Sequence, residues 1–178
     1  MKVNAIFRGI GICIASVLIF ANLGLAQQNK IYRDKKFGYQ LEYPGTYTIK
    51  TMGSATVFSS IVEDRTFAFS PNVNVVVIDL GAVPVDLDIF YRQSRDAVEK
   101  SLGAVTFLEE KKETLAGQKA YRLIYKSRQM KAEFKFMQLL CIRGNRAYLL
   151  TYTALQEQYD KFLKAAQSIM QSFQFTAQ

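Results

Sequence analysis

Residues Phe37 to Thr48 read FGYQLEYPGTYT: Tyr39, Leu41 and Tyr43 alternate with Gln40 and Glu42, and Pro44-Gly45 interrupts the run before it resumes. Alternation of period two marks a strand with one buried face, because successive side chains leave a pleated backbone on opposite sides. Proline offers no N–H to a ladder and glycine accepts turn dihedrals, so the strand should stop there and bend into a second one over Thr46–Lys50. On this reading Tyr39, Leu41 and Tyr43 are core, and Glu42 points outward. The stretch sets the class: strands joined by tight turns.

Upstream lies MKVNAIFRGIGICIASVLIFANLGLAQQ. Lys2 and Arg8 give a positive start, Gly9–Leu23 an apolar middle, and Gly24-Leu25-Ala26 small residues at the −3 and −1 positions of a secretory signal. Residues 1–26 are therefore expected to be a signal peptide cleaved after Ala26, the other reading being a retained anchor of near membrane-spanning length. Removing them from the 178 leaves 152, residues 27–178, a length that suits a single domain. Lys2 and Arg8 leave too, so the 23 basic residues fall to 21 against 15 acidic ones, a formal +6. That balance favours an anionic partner surface. Of two cysteines only Cys141 survives maturation, within the apolar run FKFMQLLCI, where an inert buried thiol is expected.

Downstream, Gln27–Arg33 read as a polar leader. Thr56–Val62 and Arg65–Ser70 read as a hairpin turning at Glu63-Asp64, and VNVVVIDL (Val73–Leu80) as a strand buried on both faces. The period changes after Pro84. Asp86 caps a helix running to about Leu102, with Ile89, Phe90, Ala97, Val98 and Leu102 on one stripe and Gly103 ending it. Strands return over Val105–Glu113, Lys119–Ser127, Ala132–Arg143 and Arg146–Thr153, with turns at Ala116-Gly117 and Gly144-Asn145. A last helix spans about Gln156–Ser172, with Thr153 and Gln156 as a capping box. The order strands, helix, strands, helix predicts an α+β fold: an α/β/α sandwich in which one central antiparallel sheet is flanked by helices.

The chain contains no histidine, which removes the commonest general base, nucleophile activator and transition-metal ligand together. No nucleophile elbow, Ser-x-x-Lys or phosphate-binding glycine loop occurs. Asp79, Asp86 and Asp88 lack the spacing of a calcium loop, and a cap by Asp86 is the simpler account. No catalytic, metal or cofactor residue is therefore expected. Among the basic residues of YRLIYKSRQMKAEFKF, alternation puts Lys131, Glu133 and Lys135 opposite Ala132, Phe134 and Phe136, so the aromatics are core rather than a nucleic-acid stacking platform. A basic binding face of Arg122, Lys126, Arg128, Lys131 and Lys135, meeting a protein or membrane assembly with an acidic surface, is the expectation that remains.

The stretches FGYQLEYPGTYTIK, VNVVVIDL, LAGQKAYRLIY and RGNRAYLLTYTA, with the final helix ending at Ser172-Phe173, together resemble the PsbP-like superfamily. Where that family has a tryptophan shortly after the proline, this chain has Tyr47. The resemblance implies the sandwich fold and a non-enzymatic role in binding to a larger assembly. It implies export to a periplasm or the extracellular space, or to a thylakoid lumen if the source is photosynthetic. An extrinsic subunit of photosystem II and a small-ligand carrier are the alternatives; plant PsbP is linked to histidine-dependent metal sites, which this chain cannot build.

Overall fold

The computed structural model describes residues 28–61, 69–129 and 131–177, so the expected signal peptide and the expected turn at Glu63-Asp64 lie outside the described residues. In chain order the elements are β1 (Asn29–Asp34), β2 (Tyr39–Pro44), β3 (Thr48–Met52), β4 (Ala55–Ser59), β5 (Asn72–Asp79), α1 (Leu87–Leu102), β6 (Val105–Leu115), β7 (Gln118–Gln129), β8 (Ala132–Arg143), β9 (Arg146–Leu155), α2 (Gln156–Gln171) and β10 (Gln174–Phe175). Seven of the strands form an antiparallel sheet in the order β3-β4-β5-β9-β8-β7-β6, and β1-β2-β10 form a second, small sheet. Helix α1 lies across β6, β7 and β8; α2 lies on the other face, across β5, β9 and β8. The small sheet shares the α2 side, where Tyr39, Leu41 and Tyr43 pack with Phe58, Tyr148 and Phe173. The sandwich is therefore helix, sheet, then a mixed layer of helix and small sheet.

Strand alternation builds both cores from the same segments. On β8, Leu139 and Cys141 face α2 while Leu140 faces α1; on β9, Tyr148, Leu150 and Tyr152 face α2 while Ala147 and Leu149 face α1. Each fully buried leucine, such as Leu123, Leu140 or Leu150, contributes roughly 2 kcal/mol of transfer free energy. The hairpins are fixed by turn chemistry, since Ala116 and Gly117 between β6 and β7 both have positive φ (47° and 79°), as a tight two-residue hairpin turn requires. At Gly45 the reason for glycine is different: a Cβ there would lie 2.8 Å from the Gln28 carbonyl oxygen, which accepts the Gly45 N–H.

Helix α1 starts and stops as expected: Asp86 Oδ1 accepts from the amides of Asp88 and Ile89, and Gly103 ends it at φ 72°. Its buried stripe differs. Phe90, Val98 and Leu102 pack inward with Leu87 and Tyr91, but Ile89 and Ala97 are exposed, because α1 covers β6–β8 and leaves no strand tightly beneath that side. Helix α2 has no side-chain cap: Thr153 and Leu155 remain paired with Phe136 and Phe134 of β8, and Leu155 is the cap residue. The polar leader is in part a strand, β1, and β10 closes the other edge of β2. Neither has an apolar run of its own; each is held by main-chain pairing to β2. Strand β5 buries Val73, Val75 and Val77 on one face only, the other being half-covered because α1 does not reach it. Phe69 and Ser70, expected to be strand, are irregular.

Candidate functional site

Arg122, Lys126 and Arg128 occupy alternate positions on β7, and Lys135 stands opposite Lys126 on β8, so the strands do bring these residues onto one face of the sheet. Lys131 sits in the β7–β8 turn with φ 73°. The opposing strands neutralise much of the charge. Glu109 Oε1 accepts from Arg122 Nε at 3.1 Å, Glu113 Oε2 lies 3.6 Å from Arg122, and Lys126 Nζ reaches Glu133 at 3.4 Å. Hydrogen bonds from Arg122 first and Lys111 second hold the Glu109 carboxyl below the usual carboxylate range. Lys135 Nζ lies 4.2 Å over the ring of Tyr159, whose phenol is pushed up to about 12, chiefly by burial. Arg128, Lys131 and Lys135 of the five have no ion-pair partner among the described residues, and of these three Lys135 lies over a ring. The alternating run EEKKE at 109–113 carries the signal for this pairing, since its odd positions share a face with Arg122 and its even ones face α1.

Those even positions anchor α1. Glu110 takes hydrogen bonds from Tyr91 Oη and Arg95 Nε, while Lys112 Nζ reaches Asp88 at 3.2 Å. Tyr121 Oη donates to Asp88 at 2.7 Å and its ring stacks on Tyr91 with centroids 3.9 Å apart. Asp88 is held below its ordinary value by the Tyr121 hydrogen bond first and Lys112 second. These carboxylates thus serve to fix a helix on a sheet.

A larger group of cations without ion-pair partners among the described residues gathers at the end of the sheet where β1–β2, β6–β7 and β8–β9 turn. The register places Ala120, Cys141, Tyr148 and Val77 side by side, so these turns and the end of β5 share one end of the molecule. Hydrogen bonds join them: Arg146 Nη1 donates to the Lys36 carbonyl at 3.3 Å, Tyr148 Oη to that of Phe37 at 2.8 Å, and Leu80 N to that of Asn145 at 2.8 Å. Arg143 lies 4.5 Å over Phe175, and Lys36 lies 4.9 Å over Phe37. Arg33, Lys35, Lys36, Lys119, Arg143 and Arg146 have no ion-pair partner among the described residues. The nearby carboxylates are committed to main chain: Asp34 accepts from Phe37 N, Asp79 from Gly81 N, and Asp86 caps α1. Sequence reasoning missed this cluster because its members come from three separate turns, β1–β2, β6–β7 and β8–β9.

Beside α1 runs an open groove of about 410 Å³, with Phe90, Ala97 and Val98 on one wall and Ile78 and Leu149 beneath. Gln138 at its floor donates to Thr151 Oγ1 at 3.1 Å, while its Oε1 is buried without a partner. Cys141 is fully buried and its thiol is pushed up to about 12 by burial, leaving almost no thiolate at neutral pH. Among the described residues no group of three or more Cys, Asp or Glu could hold a metal ion, and no helix is long and apolar enough to cross a membrane.

The PsbP family profile matches residues 27–175. The chain belongs to the PsbP family. Its fold is shared with cyanobacterial PsbP (CyanoP) from Synechocystis, at 15% identity and a TM-score of 0.59, covering 96% of this chain and 98% of that one. It is similar also to LpqN of Mycobacterium tuberculosis, a protein involved in cell envelope biogenesis, at 14% identity and a TM-score of 0.65 over 84% of this chain and 91% of that one. PA94 of Pseudomonas aeruginosa matches at 16% identity and a TM-score of 0.60, over 82% of this chain and 95% of that one. No curated protein sequence matches. At these identities the neighbours share the PsbP fold, and what each of them binds stays with that protein.

Proposed function

We propose that this PsbP-family protein is an exported, non-enzymatic accessory protein that works by contact with an anionic surface of an envelope or membrane assembly. The observation that carries the reading is the segregation of charge. Asp88, Glu109, Glu110 and Glu113, between α1 and the sheet or on β6, are ion-paired, whereas six cations at the turn end have no ion pair among the described residues. A fold neighbour involved in envelope biogenesis supports the location. Fractionation of source cells tests it: the protein should sediment with the envelope at physiological salt and leave on a high-salt wash without detergent. Recovery in the soluble fraction at physiological salt, or retention through high salt, overturns it. Salt-released association with thylakoids would instead support a photosystem II subunit.

A second reading, a small-ligand carrier, is favoured by the groove beside α1, where the unpartnered Gln138 oxygen would accept from a donor on an otherwise apolar molecule. Native mass spectrometry after gentle purification should then show a bound molecule, lost in Leu149→Arg.

A further inference from the structure

The turn end pairs its cations with an apolar loop. From Leu80 to Val85 the chain reads LGAVPV without a charge. Residues Gly81 to Pro84 are all exposed, and Val83 is 74% exposed, the most of any large apolar side chain of the described residues. Leu80 is bonded to Asn145 in the β8–β9 turn, and that turn is flanked by Arg143 and Arg146. Met52, 53% exposed, lies at the neighbouring β3–β4 turn, which reaches this end through the bond from Val77 N to the Ser54 carbonyl. A protein–protein interface is normally centred on aromatic anchors fitted into pockets. Here the rings present, Phe37 and Phe175, are covered by Lys36, Arg146 and Arg143. What projects is aliphatic, and the charges, without an ion pair among the described residues, sit on long side chains at separate turn tips. That arrangement suits a planar, fluid array of negative headgroups better than a shaped protein partner.

We propose that the turn end is a peripheral membrane-contact surface: cations of the β1–β2, β6–β7 and β8–β9 turns hold an anionic bilayer while the Leu80–Val85 loop sets Val83 into its interface. This rests on the reading that the protein works at an anionic envelope surface, and it narrows that surface to lipid. Each cation within a Debye length of the headgroups strengthens binding by about fivefold, and salt screens that gain. Val83 adds a small apolar term that salt leaves in place.

Sedimentation of the purified protein with vesicles tests this, using phosphatidylglycerol mixed with phosphatidylcholine against phosphatidylcholine alone. The protein should bind the mixed vesicles and not the neutral ones. Lys36→Ala with Arg146→Ala should weaken binding by about 25-fold. Because Arg146 also supports the β1–β2 turn, Lys35→Ala with Lys119→Ala provides a second variant, whose side chains make no hydrogen bond among the described residues and which should lose as much. Val83→Asp should weaken binding and leave the melting temperature unchanged. Equal binding to neutral vesicles, or no response to either double variant, overturns the proposal. Salt-released retention on native envelopes with no binding to anionic vesicles identifies an acidic protein as partner, sinking the lipid inference and leaving the proposed function standing. Absence of both sinks both.

Discussion

The two basic regions of this protein contain the same residue types in opposite electrostatic situations. On β7 and β8 the arginines and lysines stand in register with strands that carry glutamates, so Arg122 meets Glu109 and Glu113 and Lys126 meets Glu133. At the turn end the cations come from chain reversals, whose own carboxylates are used to close turns and cap α1. Pairing across strands is a sheet-stabilising device worth a fraction of a kcal/mol to about 1 kcal/mol per pair. A basic count along the sequence therefore does not locate a basic surface; what matters is which cations the register leaves without a carboxylate.

The strongest way to break the contrast is to remove the ring that holds the turn end together. Phe173 stacks on Tyr39 at 5.3 Å and meets Tyr148 and Phe175 edge-on, so Phe173→Ala should cost about 3–5 kcal/mol by chemical denaturation. It should also weaken binding to an anionic surface, because the β1–β2 turn and β10 lose their common support. Next in size, Lys36→Ala with Arg146→Ala should reduce that binding by about 25-fold, with a much smaller change in stability. Arg122→Gln should do the reverse: it leaves Glu109 and Glu113 side by side, half-buried, and should cost about 1 kcal/mol of stability with binding unchanged. If Arg122→Gln lowers binding as much as the turn-end variant does, the division between the two regions fails.

Acid should separate the regions too. The Asp88 and Glu109 carboxyls are depressed in the folded protein, so the stability they contribute is present above the ordinary carboxylate value of about 4 and disappears as pH falls through their lower folded values. Denaturation at neutral and at acid pH should show Asp88→Asn destabilised at neutral pH, with its deficit shrinking below pH ~4; a deficit that stays constant would sink this account. The smallest effect is expected for Arg128→Ala with Lys131→Ala, within about 0.5 kcal/mol in stability and undetectable in binding, since both are exposed and unpaired at the opposite end.

Much of the architecture is legible in local pattern. The Asp86 cap, the Gly103 stop and the β8 boundaries follow from residue chemistry and period, and Tyr39, Leu41 and Tyr43 are core as their alternation implies. The errors share a cause. Strand β1 has a burial pattern too weak to announce itself, yet it pairs residue for residue with β2. Thr153 and Gln156 have the spacing of a capping box, but the β8 ladder keeps the chain extended through Leu155. Ile89 has the helical period of a core residue and is exposed, because α1 covers only part of the sheet. In each case the presence or absence of a long-range partner decided the outcome over the local pattern.

The same division holds for the surface. By itself the sequence determined the PsbP-type order of elements, the absence of histidine chemistry, the buried character of Cys141 and the overall positive balance, since these depend on composition, period and turn residues alone. Only the tertiary structure decided which positive charges are free. That outcome depends on strand register and on which turns share an end, relations between segments as far apart as Lys36 and Arg146 that no local window contains.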